Sequence, residues 1–307
     1  MAQKNINLHN AKKAKNDEFY TQLSDIEKEM AHYKDFFKGK IVYCNCDDAR
    51  ESNFFKFFAN NFESLGLKKL ITTGYKENGK GVKLVYEGDK NGNFMVDDAE
   101  VVVTELEGSG DFRSEECIEL LKECDVVVTN PPFSLFREYV AQLMKYGKKF
   151  LIIGNKNAIT YKEIFPYIKD NELWLGITNP DEYRLPNGEI TQSVKGLCRW
   201  FTNIPHNRRN TPLDLYKKYS ADEYPKYDNY DAIEVSKVSE IPMDYNGVMG
   251  VPITFLDKYC PTQFEIVGIM SGAKGETFTN GNDGRAKFYV NDKGVYARIL
   301  IRRKSFN

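Results

Sequence analysis

Val126-Val127-Val128-Thr129, followed at once by Asn130-Pro131-Pro132-Phe133, leaves the surrounding chain few options. Three consecutive β-branched valines favour extended backbone, and so short an apolar run between turn formers reads as a buried strand. The two prolines hold φ near about −65° and carry no backbone N–H, so that strand ends where they begin. Open α/β sheets bind their ligands at this carboxyl edge.

The flanking segments repeat the theme. Lys40 to Cys44 reads as a first strand, Ser52 to Phe62 as a helix and Leu70 to Thr73 as a second strand. Gly81 to Tyr86 and Asn93 to Val96, separated by Gly88-Asp89-Lys90-Asn91-Gly92, read as an inserted hairpin. Strand Val101 to Thr104, helix Ser114 to Glu123, strand Asp125 to Thr129, helix Ser134 to Tyr146 and strand Phe150 to Ile153 complete the alternation. The predicted class is α/β, with a mostly parallel, doubly wound sheet.

After about residue 179 the pattern changes. Turn formers, aromatics and bases run to Tyr219, an acidic, tyrosine-rich segment to about Asp244, and β patterning to the end. That last part predicts strands over Val251 to Leu256 and Phe264 to Met270, and a hairpin of Lys287 to Val290 with Val295 to Ile301. The expected organisation is therefore a first domain over 1–178 and a second region over 179–307.

Asn130-Pro131-Pro132-Phe133 also has a chemistry. It presents carbonyl oxygens without competing N–H groups, and Asn130 adds a side-chain oxygen that accepts from an NH₂. An exocyclic amine on a nucleobase is a poor nucleophile because its lone pair is delocalised into the ring. Two acceptors on its hydrogens favour the localised form reached in the transition state. Phe133 offers a face for an extruded base, an interaction worth about 1–3 kcal/mol. A chain that only had to end a strand and fill its core with Phe133 could use the same four residues. Their order after a valine-rich strand favours the functional reading.

With 41% hydrophobic and 13% aromatic residues the chain is not of the disordered class. No apolar stretch approaches the roughly 20 residues that span a bilayer, and the first residues lack the apolar core of a signal peptide, so a cytoplasmic location is expected. The six cysteines are scattered and show no metal-ligand spacing, which predicts reduced structural thiols and no metal.

Net charge is −1, from 43 basic and 44 acidic residues, and is uninformative about nucleic acid. The distribution says more. Lys195, Arg199, Arg208, Arg209, Lys217 and Lys218 face only Asp214 in their stretch, and Arg285 to Lys304 and the first fifteen residues are similarly basic. Such clusters bind phosphates through counterion release if they share a face, and are otherwise solvated surface.

Three further stretches fall beside predicted strand ends or the N-terminal lead-in. Phe19-Tyr20-Thr21 serves equally as core or ligand cover, Asn45-Cys46-Asp47-Asp48 as helix cap or cofactor contact, and Gly108-Ser109-Gly110-Asp111-Phe112 as loop or binding edge.

Asp17-Glu18-Phe19-Tyr20-Thr21, Asn45-Cys46-Asp47-Asp48, Gly110-Asp111-Phe112 and Asn130-Pro131-Pro132-Phe133, in this order, resemble the motifs of adenine-specific DNA methyltransferases of the EcoRI modification type. The resemblance runs over most of the chain, including Gly250 to Leu256. It implies a Rossmann-like class I methyltransferase sheet with a C-terminal DNA-recognition region, in the γ order of motifs. By this resemblance Phe19, Tyr20 and Thr21 contact the methionine part of S-adenosylmethionine. Asp47 or Asp48 lies by its amino or ribose groups, with Asn45 a further cofactor contact, and Asp111 and Phe112 lie by its adenine.

The same resemblance gives Asn130 and the Pro131 carbonyl the target N6 amine, with Pro132 holding the turn rigid and Phe133 stacked on the flipped base. Lys195, Arg199, Arg208 and Arg209 are the expected DNA contacts. The implied reaction is methyl transfer to adenine N6 in duplex DNA by a monomer, in a restriction-modification setting beside an endonuclease, with GAATTC as the suggested target. Two departures stand out: the glycine-rich loop usual after strand one is absent, and Thr72-Thr73-Gly74-Tyr75 replaces the acid expected at the ribose. Methyl transfer to cytosine N4, RNA or a protein amide would use the same tetrapeptide. A non-catalytic DNA-binding module is the alternative outside enzymes.

Overall fold

Strands form where the sequence places its short apolar runs. The computed structural model describes residues 20–45, 49, 51–180, 183–184, 190–191, 196–270 and 288–304. In chain order the strands up to residue 204 are β1 (Tyr20–Thr21), β2 (Ile41–Cys44), β3 (Lys69–Gly74), β4 (Val82–Tyr86), β5 (Val101–Glu105), β6 (Val126–Thr129), β7 (Lys149–Asn155), β8 (Trp174–Leu175), β9 (Tyr183–Arg184), β10 (Ile190–Thr191) and β11 (Cys198–Thr202). The helices are α1 (Leu23–Met30), α2 (Asn53–Asn60), α3 (Phe62–Leu65), α4 (Glu115–Glu123), α5 (Phe136–Lys145) and α6 (Phe165–Lys169). Their ends are chemically marked. The hydroxyls of Ser52 and Ser114 accept from the backbone N–H of Phe54 and Cys117 and start α2 and α4, while Gly66, with φ of 62°, ends α3 in the left-handed conformation.

The chain divides into two compact units, Met1–Lys156 with Gly176–Ile204, and Asn157–Leu175 with Pro205–Asn307. In the first, the strands lie in the order β5-β4-β3-β2-β6-β7-β11. β2 runs parallel to β3 and β6, and β6 parallel to β7. β4 is antiparallel to β3 and to β5, and β11 is antiparallel to β7. The sheet is thus α/β and Rossmann-like but mixed, with parallel pairing confined to its centre, where a mostly parallel sheet was expected. The loop from Gly74 to Val82 is too short for a parallel crossover, which needs about a dozen residues or more.

The predicted hairpin of residues 81–86 with 93–96 is corrected as well: β4 pairs instead with β5. Asp89 accepts from the backbone N–H groups of Asn91, Gly92 and Phe94, and Glu100 from those of Lys90 and Asn91. Of the donors that a ladder over residues 93–96 would have needed, Phe94 gives its N–H to Asp89, and Asn93 and Met95 give theirs to the side-chain oxygens of Asn91 and Asn93.

Alternate residues of the central strands sort onto two faces. Val42, Val126, Val128, Leu151, Ile153 and Trp200 are buried with Ile26 of α1 and the phenylalanines of α2. The residues between them, such as Tyr43, Val127, Ile152 and Phe201, are also buried, and Phe201 meets Phe136 of α5 with ring centroids 5.0 Å apart. Both faces are therefore covered. The segment after Gly176 is tied in by Glu29 of α1, whose buried carboxylate accepts from the N–H groups of Ile177 and Thr178 at 2.8 and 2.6 Å.

The second unit has its own strands, β12 (Lys226–Tyr227), β13 (Tyr230–Glu234), β14 (Met249–Pro252), β15 (Phe264–Met270), β16 (Tyr289–Val290), β17 (Lys293–Gly294) and β18 (Arg298–Arg303). They form a sheet in the order β12-β13-β14-β18-β15 and a small ladder of β16 with β17. Two expectations change. The strand predicted to reach Leu256 stops at Pro252 and continues as a 3-10 helix over Ile253–Lys258. The C-terminal hairpin closes between β16 and β17, which frees β18 to pair with β14 and β15.

Among the described residues no helix is long and apolar enough to cross a membrane, and no cluster of His, Cys, Asp or Glu could hold a metal ion. The five described cysteines, Cys44, Cys117, Cys124, Cys198 and Cys260, are buried and form no disulfide among the described residues; burial pushes the Cys124 thiol up to about 12.

Candidate active site

Topology selects the site before any side chain is considered. From β2 the chain moves outward to β3, whereas from β6 it moves the other way to β7, so the strand order reverses between β2 and β6. In such sheets the crevice at the carboxyl ends of the two diverging strands is the ligand site. The residues that follow β2 and β6 are Asn45 and Asn130.

Parallel register sets their neighbourhood. Tyr43 is level with Val127, and the Thr129 hydroxyl, at the last position of β6, donates to the Asn45 carbonyl across the crevice. The Asn45 side-chain oxygen accepts from the hydroxyl of Tyr139 on α5. Asn45, Thr129 and Tyr139 are all buried. Asn130, Pro132 and Phe133 are half-buried, Pro131 is buried, and Phe133 packs partly against the core while keeping part of its surface open. The N–H of Leu135 donates to the Pro132 carbonyl at 3.0 Å, opening the 3-10 turn that leads into α5.

The remaining cofactor candidates distribute unevenly. Phe19, Asp47 and Asp48 lie outside the described residues, and Tyr20 forms β1 with Thr21, pairing with β9. Thr21 is buried; its carbonyl accepts from the Asn53 side chain at 2.7 Å, and its hydroxyl has no partner among the described residues. Thr72, level with Cys44 near the end of β3, is likewise buried with an unpartnered hydroxyl. Asp111 is held by Arg113, with Nε to Oδ1 at 2.9 Å and Nη2 to Oδ2 at 2.7 Å, and those hydrogen bonds keep its carboxyl below the usual range. Phe112 is buried edge-to-face on Tyr139 at 5.0 Å, and its carbonyl accepts from Gln142 at 2.9 Å.

At the carboxyl edge of the central sheet the fixed Asn45 carboxamide and the buried Thr72 hydroxyl form a donor and acceptor set that fits a nucleoside-containing cofactor, and β1 adds the buried Thr21 hydroxyl. Sequence reading missed Thr129, Asn53 and Tyr139. For Tyr139 a signal existed: a tyrosine on the apolar face of a helix buries its ring and must find a partner for its hydroxyl.

The four basic candidates separate sharply. Lys195 lies outside the described residues. Arg199 is buried on β11, opposite Gly154, and donates to the Cys198 carbonyl at 2.8 Å. Arg209 lies in the second unit with its guanidinium 3.5 Å from the Trp174 ring centroid and bonded to Asn171; desolvation lowers its pKa. Arg208 is exposed and lines a groove of about 440 Å³ with Thr211, Tyr216, Ser239, Lys258 and the acid Asp214.

Residues 7–304 match the family model described as adenine-specific methyltransferase EcoRI. The chain is 49% identical to the type II methyltransferase M.EcoRI of Escherichia coli, over 97% of this chain and 96% of that protein. It is 39% identical to M.MgeORF184P of Mycoplasma genitalium and to M.MpnI of Mycoplasma pneumoniae, each over 97% of this chain and 98% of the relative. With the family matched over nearly its whole length and a sheet whose crevice is edged by Asn45 and Asn130, the chain belongs to the EcoRI family of adenine-specific methyltransferases.

Proposed function

We propose that this methyltransferase moves a methyl group from S-adenosylmethionine to N6 of an adenine flipped out of duplex DNA, within a restriction-modification system. The observation that carries the reading is the juxtaposition of Asn130 with Asn45 at the reversal of strand order, with Asn130, Pro132 and Phe133 still partly open to solvent. Bound at that edge, the cofactor supplies an electrophilic sulfonium methyl. The protein's share is placement: the Asn130 side-chain oxygen and the Pro131 carbonyl accept the two N6 hydrogens and localise the nitrogen lone pair, and Phe133 stacks on the base. Alignment of nitrogen and methyl carbon then supplies the rest of the acceleration. Thr21, Asn45 and Thr72 offer the cofactor polar contacts, and Asp111, kept ionised by Arg113, belongs to the motif that would meet its adenine.

Duplex DNA is assigned to the second unit. Arg208 and Lys258 line the 440 Å³ groove with Asp214, and an adjoining one of about 470 Å³ adds Lys237 and Asp257, so three cations against two acids line a surface able to take phosphates. Arg209, engaged by Trp174 and Asn171, is a brace for the segment that carries Arg208.

The test is Asn130→Ala. Transfer of labelled methyl to duplex DNA should fall by about a hundred- to a thousandfold, a scale set by removal of an oxyanion-type group, while cofactor affinity changes less than about twofold. Equal loss of both would make Asn130 a structural residue. Digestion of wild-type product to nucleosides should place the label on N6-methyladenine; label on cytosine, in RNA or in protein would replace the substrate.

A further inference from the structure

Asn45 is held at both of its oxygen atoms. Its backbone carbonyl accepts from Thr129 and its side-chain oxygen from Tyr139, so β2, β6 and α5 converge on one residue. A carboxamide is planar, and seating its oxygen on a hydroxyl fixes where its NH₂ points. Asn45 is only 4% exposed, and these hydrogen bonds engage its two oxygens and leave its NH₂ available to donate. The Tyr139 ring is itself immobilised edge-to-face on Phe112, whose carbonyl is held by Gln142.

We infer that Tyr139 is a positioning residue: it orients Asn45 so that the carboxamide NH₂ donates to an oxygen of the bound S-adenosylmethionine, while its ring locks the segment carrying Asp111 and Phe112. The inference rests on the cofactor reading above. Tyr139 needs no contact with the cofactor, since its effect passes through Asn45. A tyrosine that merely filled the core would contribute stability and leave cofactor affinity alone.

Tyr139→Phe keeps the ring on Phe112 and removes only the hydroxyl. Measured by titration calorimetry on the full chain, it should weaken S-adenosylmethionine binding by about five- to tenfold, the scale of one hydrogen bond that holds a recognition group. Turnover at saturating cofactor and affinity for duplex DNA should change less than about twofold. Asn45→Asp, which keeps an oxygen for Tyr139 but replaces the NH₂ by an anion, should weaken binding about tenfold or more. In an Asn45→Ala background, Tyr139→Phe should add less than about twofold, because its route is already cut. Unchanged cofactor affinity in Tyr139→Phe or Asn45→Asp, or fully additive losses in the double variant, overturns the inference while wild-type binding stands. Absence of cofactor binding by the wild-type chain would instead overturn the cofactor reading from which it starts.

Discussion

Replacing Glu234 by Ala should unfold the second unit far more readily than loss of an ordinary ion pair would. Glu234 ends β13 and meets Arg298 at the start of β18, with Nε to Oε1 at 3.0 Å, Nε to Oε2 at 3.1 Å and Nη2 to Oε1 at 2.7 Å. The Tyr227 hydroxyl donates to the same carboxylate. The side chains of Arg298 and Glu234 are only 12% and 8% exposed. An exposed pair contributes about 0–1 kcal/mol, but removing one partner of a buried pair strands the other charge and costs about 3–5 kcal/mol. Here the deletion strands a guanidinium and leaves the Tyr227 hydroxyl only the Gly250 carbonyl at 3.4 Å, so the expected loss lies within that range.

The two tryptophans make the assay specific: Trp174 belongs to the second unit and Trp200 to the first. Urea unfolding followed by the ¹⁹F resonances of 5-fluorotryptophan should show the Trp174 transition moving to lower urea by an amount equivalent to about 3–5 kcal/mol. Exchanging both Glu234 and Arg298 for leucine should recover much of the loss, since no charge remains buried. A shift in Glu234→Ala below about 1 kcal/mol would refute the argument by showing the pair to behave as a solvated one.

Tyr227 gives a pH dependence of known sign. Burial first, and then the Glu234 charge, raise its pKa above the ordinary value of 10.0, so above that pH the unfolded chain loses a proton that the folded chain keeps. Stability should hold below about pH 10 and decline above it, and Tyr227→Phe should flatten that decline in thermal melts. Gly154→Ala should cost about 1–3 kcal/mol, because a Cβ there would lie 2.6 Å from Cζ of the buried Phe136 ring; a urea midpoint equal to wild type would show that the ring can yield. Arg208→Ala should weaken duplex binding and reduce the slope of log affinity against log salt by about 0.9 for each phosphate it no longer neutralises, and an unchanged slope would remove Arg208 from the interface.

Much of the site was legible because its signals are local. Valine-rich β6 and the proline pair behind it stop a strand at Asn130 whatever the rest of the chain does, and a serine at the start of each of α2 and α4 marks where a helix must begin. Tyr139 escaped notice because its role depends on a partner nearly a hundred residues earlier, Asn45, and nothing in its own helix points there. Arg209 reads in sequence as one of a basic pair. Only the placement of Trp174 against its guanidinium turns that charge inward and leaves Arg208 on the surface.

The amino-acid sequence by itself determined the class of fold, the positions of the central strands and the tetrapeptide at the edge of β6, since these follow from short-range apolar periodicity and from backbone limits at proline. The tertiary structure decided which strands pair and in what sense. It sent β4 to β5 rather than to the residues after Gly92, added β11 to the sheet, and gave Asn157–Leu175 to the second unit. Those choices depend on where distant apolar faces and buried polar groups find partners. A strand carries its own alternation of side chains in its sequence, but the neighbour that completes its hydrogen bonds is settled only when the whole core closes.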